Sequence, residues 1–221
     1  MVASDEDRKS FADLKDSDQH HYAELVALDR SVGALRKGLR ELGIAGNTLF
    51  WYCSDNGGLK VNPPSVGGLR GLKGTVYEGG LRVPGIIEWP DMITRGVRTE
   101  TPACVMDMFP TIADIVGLPE EAQLQPADGI SLRKGIESGR FGRRPEPIPF
   151  RFQGKGAWLD NHLKLVVEDV ENREYALYDL KAYPDESENL FDNQIKIAKP
   201  NSKTSWRGHY GCLWSIKVQF C

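Results

Sequence analysis

The sequence predicts an α/β body followed by a small antiparallel β subdomain, and three observations carry that prediction. Residues 22–42 repeat apolar side chains at helical steps and run into a short apolar stretch, 48–53. That stretch stops abruptly at the polar turn Ser54, Asp55, Asn56, Gly57, Gly58, which completes the helix, strand, polar-loop order of α/β proteins. From Ile148 onward the pattern changes to closely spaced short strands.

In the helix, Tyr22, Leu25, Val26, Val32, Leu35, Leu39 and Leu42 form one stripe, and Gly43 is the expected stop. Residues 48–53 are too short for a helix and barely alternate, which predicts a strand buried on both faces. A glycine-rich irregular stretch follows, 59–81. A second short buried strand is expected over 83–89, closed by Pro90, and an apolar helix within 101–117 ends at Gly117. Strands are expected over 148–153, 157–168 and 175–180. The chain then divides into a polar N-terminal extension (1–19), the α/β segment (20–145), the small antiparallel subdomain (146–193) and a tail (194–221).

With 40% hydrophobic and 27% charged residues in 221, the composition is globular. A net charge of −3 gives no reason to expect nucleic acid as a partner. No apolar run has transmembrane length, and the first residues do not read as a signal peptide, so the sequence assigns neither a membrane nor a compartment. Cys53, Cys104, Cys212 and Cys221 lack metal-ligand spacing, and the first two read as buried free thiols. Residues 195–221 carry five Lys or Arg and no acid, so the first 194 residues hold 23 basic and 31 acidic side chains, a net of −8. Such a tail reads either as a basic arm or as a non-native, poorly folded end.

Asp55 and Asn56 are the sharpest local feature. They stand where a predicted strand ends, the edge at which open α/β sheets bind ligands. A carboxylate beside an amide carbonyl offers two hard oxygens, suited to Ca²⁺ or Mg²⁺. An Asx-turn closing the strand accounts for the same residues. Arg70 and Lys73 lie in a glycine-rich loop that fails the P-loop pattern, because Gly74 stands where Ser or Thr must follow the lysine. A metal with a nearby cation can bind a tetrahedral oxyanion; a solvated basic loop is the plainer reading. His20, His21, His162 and His209 show no partner in the sequence.

Together these segments resemble the sulfatase family. Residues 22–33 (YAELVALDRSVG) are similar to its helix before the metal-binding strand, and 47–58 (NTLFWYCSDNGG) to its strand and metal motif. Residues 70–84 (RGLKGTVYEGGLRVP) resemble its substrate-side signature, the most specific match. Further similarity lies at 107–111 (DMFPT), 128–132 (DGISL), 177–180 (LYDL) and 188–190 (ENL), in the family's order over residues 20–193. The resemblance implies an alkaline-phosphatase-like mixed sheet flanked by helices, here partial, with the small C-terminal antiparallel subdomain. It implies hydrolysis of sulfate monoesters, sulfated glycans among them, at a calcium site (magnesium as the alternative), with a formylglycine nucleophile. By position, Asp55 and Asn56 become metal ligands and Lys73 a sulfate contact, with Arg70 beside it on the substrate side. Arg70, Glu78 and Arg82 also read as loop-ordering residues.

The departures are as informative. No Cys or Ser begins the family's nucleophile run of Cys or Ser, any residue, Pro, any residue, Arg. The N-terminal Asp pair, the upstream sulfate-binding Lys and His, and the closing helix have no counterpart. Tyr183-Pro184-Asp185 replaces an Asp-Pro. The expectation is a partial sulfatase whose missing N-terminal segment is a partner, inactive alone. A phosphomonoesterase or phosphonate hydrolase of the same superfamily, or a non-catalytic sulfated-glycan-binding remnant, are the rival readings.

Overall fold

A computed structural model of the chain describes residues 3–123, 126–169 and 174–191, and the backbone of 215–220. The first long element is helix α2 (Asp16–Glu41), preceded by one turn, α1 (Asp5–Arg8). Helix α2 starts six residues before the predicted stripe and ends as predicted, with Gly43 in the left-handed region (φ 70°).

Strand β1 (Phe50–Cys53) pairs antiparallel with β2 (Val83–Glu88), Cys53 opposite Gly85. The backbone of β9 (Ser215–Phe220) runs parallel to β2 and joins the short strands β3 (Val97–Arg98) and β4 (Ala103–Cys104) to the sheet. The remainder of the basic tail lies outside the described residues. Burial on both faces fails for β1 and β2. All four β1 residues are only half-buried, because β1 is the sheet's edge and pairs with β2 alone among the described strands. In β2, Val83, Gly85 and Ile87 face inward, while Pro84, Ile86 and Glu88 are open to solvent to differing degrees. The short apolar run concealed a one-sided strand.

Helix α4 (Met108–Ile115) lies within the predicted apolar helix, and Gly117 follows it at φ 67°. Helix α5 (Arg133–Ser138) comes next. Four strands then form the second sheet in simple order: β5 (Ile148–Phe152), β6 (Lys155–Asp160), β7 (Leu163–Asp169) and β8 (Glu174–Asp179). The single strand expected over 157–168 is a hairpin. Asn161 adopts φ 58°, a conformation asparagine tolerates better than most residues, and it turns the chain so that His162 sits in an exposed turn.

The inner face of this sheet carries Ile148, Phe150, Ala157, Leu159, Val166 and Tyr178, which pack with Val76, Tyr77 and Leu81 of the α/β body into one core. At about 1.5–3 kcal/mol for each large apolar side chain removed from water, this cluster locks the subdomain onto the segment before β2. Cys104 is buried as expected, and Cys53 only partly.

Candidate functional site

Two loops meet beyond β1, and the main chain binds them together. The Lys73 N–H donates to the Gly58 carbonyl (2.9 Å), and the Gly57 N–H to the Gly80 carbonyl (3.1 Å). The crossing requires glycine: a Cβ on Gly57 would stand 2.1 Å from the Gly79 oxygen, and one on Gly79 would stand 2.1 Å from the Gly71 oxygen. The Gly79 N–H closes the lysine loop onto the Arg70 carbonyl at 2.7 Å. Inside it, Thr75 donates through Oγ1 to the Leu72 carbonyl (2.9 Å).

The four residues predicted for the site are therefore held on adjoining loops. The Asp55 and Lys73 side chains are exposed, and Asn56 is half-buried. Ser54 Oγ donates to the Asn56 carbonyl at 3.1 Å, which fixes the turn. The Cys53 thiol is pushed up, first by burial and then by the Asp55 carboxylate. Arg70 is exposed in part, but its guanidinium is engaged. It lies 4.0 Å over the Tyr77 ring and donates to the Tyr178 hydroxyl (2.9 Å) and the Glu186 carbonyl (3.2 Å).

Sequence reasoning missed what stands behind the lysine loop. Helix α3 (Glu78–Leu81) is wholly buried. The Glu78 carboxylate accepts from Lys164 Nζ at 2.9 Å, and its N–H donates to Glu186 Oε2 at 2.7 Å. Lys164 Nζ also lies 2.8 Å from Glu186 Oε1, close enough for an ion pair but off the angle of a hydrogen bond, so that oxygen has no hydrogen-bond partner. Burial outweighs Lys164 and the Glu78 N–H and raises the Glu186 carboxyl above its ordinary 4.5. The signal for Lys164 was available: one charge inside Leu163-Lys164-Leu165-Val166-Val167 must be paired if that strand is buried. Glu186 gives no such sign among the acids of its turn.

A second buried ion pair lies elsewhere. Arg144 grips Asp107 through both terminal nitrogens (2.7 and 2.9 Å), and Asp107 also accepts from the Cys104 and Ile130 N–H groups at 2.9 Å each. Burial first, then Asp107, pushes the Cys104 thiol up to about 12. Between body and subdomain runs a cleft of about 710 Å³ bordered by Arg82, Glu100, Arg143, His162 and Lys181.

The donor types at Asp55 and Asn56 fit a hard cation, but their number does not complete its shell. Calcium takes about six to eight oxygens, and among the described residues no group of three or more His, Cys, Asp or Glu gathers to hold a metal.

A mixed sheet with flanking helices, backed by a small antiparallel sheet, is the alkaline-phosphatase-like fold, present here in part. The chain belongs to the sulfatase family: the family named Sulfatase matches residues 3–118. N-acetylgalactosamine-6-sulfatase of Sus scrofa is 38% identical over 141 residues, covering 62% of this chain and 27% of that protein. Steryl-sulfatase of Homo sapiens is 36% identical over 138 residues, covering 57% and 24%. Among solved structures, Ps i-CgsB superposes with a TM-score of 0.77 at 29% identity, over 89% of this chain and 44% of that one. A second structure of Ps i-CgsB, in complex with k-i-k-neocarrahexaose, gives 0.75 at 28%, over 88% and 44%. The chain thus spans about a quarter of the length of these curated relatives.

Proposed function

We propose that this chain supplies one part of a sulfate-ester hydrolysis site: the lysine that contacts the sulfate and two of the oxygens that hold the metal. The observation that supports the reading is the backbone crossing of the 55–58 and 70–80 loops, which ties the main chain of Lys73 to Gly58 in the turn that carries Asp55, with both Lys73 and Asp55 exposed, on a sulfatase framework. In this reading Lys73 neutralises charge on a tetrahedral oxyanion, and Asp55 and Asn56 are calcium ligands, with magnesium as the alternative. Calcium bound there would polarise the sulfate oxygens. Arg70 belongs to the substrate side through the loop it shapes.

The substrate class is a sulfate monoester, with sulfated glycans favoured because similar proteins are named for N-acetylgalactosamine-6-sulfate and one was solved with an oligosaccharide. Sulfatase chemistry needs a covalent nucleophile, and the 221 residues contain no run from which a formylglycine is made. The nucleophile and the remaining metal ligands therefore come from a further sulfatase segment, and the chain by itself binds anions without turning them over.

The test is an aryl-sulfate assay on the purified chain with calcium, beside sulfate titration of wild type and Lys73→Ala. No turnover, with sulfate bound at least about threefold more weakly by the variant, is expected for an exposed cation in water. Calcium-dependent turnover well above background would overturn the partial-site reading, and equal sulfate affinity would remove Lys73.

A further inference from the structure

Strand register places Lys164 directly opposite Leu159 and Tyr178, on the same inner face as Ile148, Phe150 and Val166. Among the described buried residues of that face Lys164 carries the one charge, and it meets Glu78 behind the lysine loop. The Lys164 side chain is completely buried, and both carboxylates it meets come from segments adjoining the lysine loop or its brace. Glu186 is the member that touches the loop at both ends. Its carboxylate takes the Glu78 N–H at 2.7 Å, near the loop's far end, and its main-chain oxygen takes Arg70 at 3.2 Å, where the loop begins. The residue is 0% exposed and sits at φ 57°, in a turn whose N–H donates to the Tyr183 carbonyl at 3.0 Å. A glutamate in the left-handed region with its carboxylate wholly out of water is costly unless that placement performs a task.

We propose that Glu186 is a positioning residue for sulfate binding, holding Arg70 and Glu78 so that the loop between them presents Lys73 to the anion. This rests on the reading of Lys73 as a sulfate contact. Two carboxylates, Glu78 and Glu186, share Lys164, Arg70 meets Glu186 through its main-chain oxygen, and among the described residues no ion pair engages Lys73. Arg70, held at Tyr178 and Glu186, is part of the clasp. The small sheet then serves the site directly, because β7, β8 and the turn after β8 each contribute one group to the brace: Lys164, Tyr178 and Glu186.

The experiment is a sulfate titration of the full chain in four forms: wild type, Lys73→Ala, Glu186→Ala and the double variant, with Glu186→Gln and Ile148→Val alongside. Glu186→Ala is expected to weaken sulfate at least about threefold. In that background Lys73→Ala should add less than about a 1.5-fold change, because the lysine is no longer held in place. Glu186→Gln, which still accepts the Glu78 N–H, should recover part of both effects. Ile148→Val trims the same core, so it should lower the melting temperature while leaving sulfate affinity and the Lys73 effect unchanged. A role confined to stability predicts additive losses, so the same fold-change from Lys73→Ala in both backgrounds overturns the proposal. Wild-type affinity in Glu186→Ala overturns it too. If Glu186→Ala does not fold, Glu186→Gln decides by the same cycle, with additive losses again fatal. No effect of Lys73→Ala on wild type removes the parent reading, and this one with it.

Discussion

The two halves of the site stand on ground of different kinds. Behind the lysine loop lie a packed core, the Glu78–Lys164–Glu186 cluster and the Arg70 clasp. Behind the Asp55–Asn56 turn lies β1, a half-buried edge strand, and before it runs α2, whose predicted stripe is half open: Leu25, Val26, Leu35 and, at the helix end, Leu42 are 40–73% exposed, while Tyr22, Val32 and Leu39 are half-buried. Ala23 is the apolar residue of α2 that is buried. The Arg36–Glu88 ion pair and a hydrogen bond from the Tyr22 hydroxyl to the Pro63 carbonyl tie this helix to the body. The lysine-loop half is thus organised by this chain's own core, whereas the half proposed to hold a metal stands on a side with much apolar surface in water.

Removing a charge from the packed side should do the most damage. Asp107→Ala leaves Arg144 buried without its partner and two N–H groups uncapped. A loss of about 3–5 kcal/mol is expected, read as a fall in the urea midpoint. On the open side no comparable loss should be found: Leu35→Gln, at a residue 50% exposed, should stay within about 0.5 kcal/mol. A Leu35 variant as damaging as Asp107→Ala would mean that α2 is packed in solution.

Glycines on the two sides should respond with opposite signs. Gly79→Ala drives a Cβ to 2.1 Å from a backbone oxygen that cannot yield without moving the lysine loop, so about 1–3 kcal/mol should be lost, and sulfate binding with it. Gly33 lies inside α2, and a Cβ added there would meet nothing within 4 Å. Gly33→Ala should stabilise by about 0.5–1 kcal/mol, and thermal melts of the two variants should move in opposite directions.

The packed and open sides also differ in how far the sequence made them legible. The second sheet, the helix before β1 and the glycine-bearing loops are readable, because period, turn residues and the sulfatase-like segments agree over them. The turn at Asn161 is hidden inside an apolar run that hairpin and single strand share. Composition alone implies burial on both faces of β1, but an edge strand of a sheet with few partners keeps one side open whatever its side chains prefer. The roles of Arg70, Glu186 and Tyr178 rest on contacts more than 100 positions apart, which no local pattern encodes. Lys164 is the intermediate case, since its oddity is visible in the strand but its partners are not.

The weakest effect concerns how α2 is tied to the sheet, and its sign is set by titration. Arg36 grips Glu88 through Nε and a terminal nitrogen at 2.6 and 2.9 Å, and this hydrogen bonding lowers the Glu88 carboxyl from its ordinary 4.5. A group with a lowered folded-state pKa stabilises the fold above its unfolded value and loses that contribution as pH falls through the folded one. The pair is 45% and 23% exposed, so solvent screening holds its worth below about 1 kcal/mol. Glu88→Gln should therefore cost a few tenths of a kcal/mol at pH 7 and nothing once pH is well below 4.5, with the difference shrinking in high salt. Glu186 runs the other way: its raised carboxyl favours the fold at low pH and loses that advantage as pH rises above 4.5, so Glu186→Gln should flatten a slope of opposite sign. Stability measured from pH 3 to pH 7 on the two variants separates the sides of the site. Slopes of the same sign would show that the open tie and the buried brace do not differ as their surroundings imply.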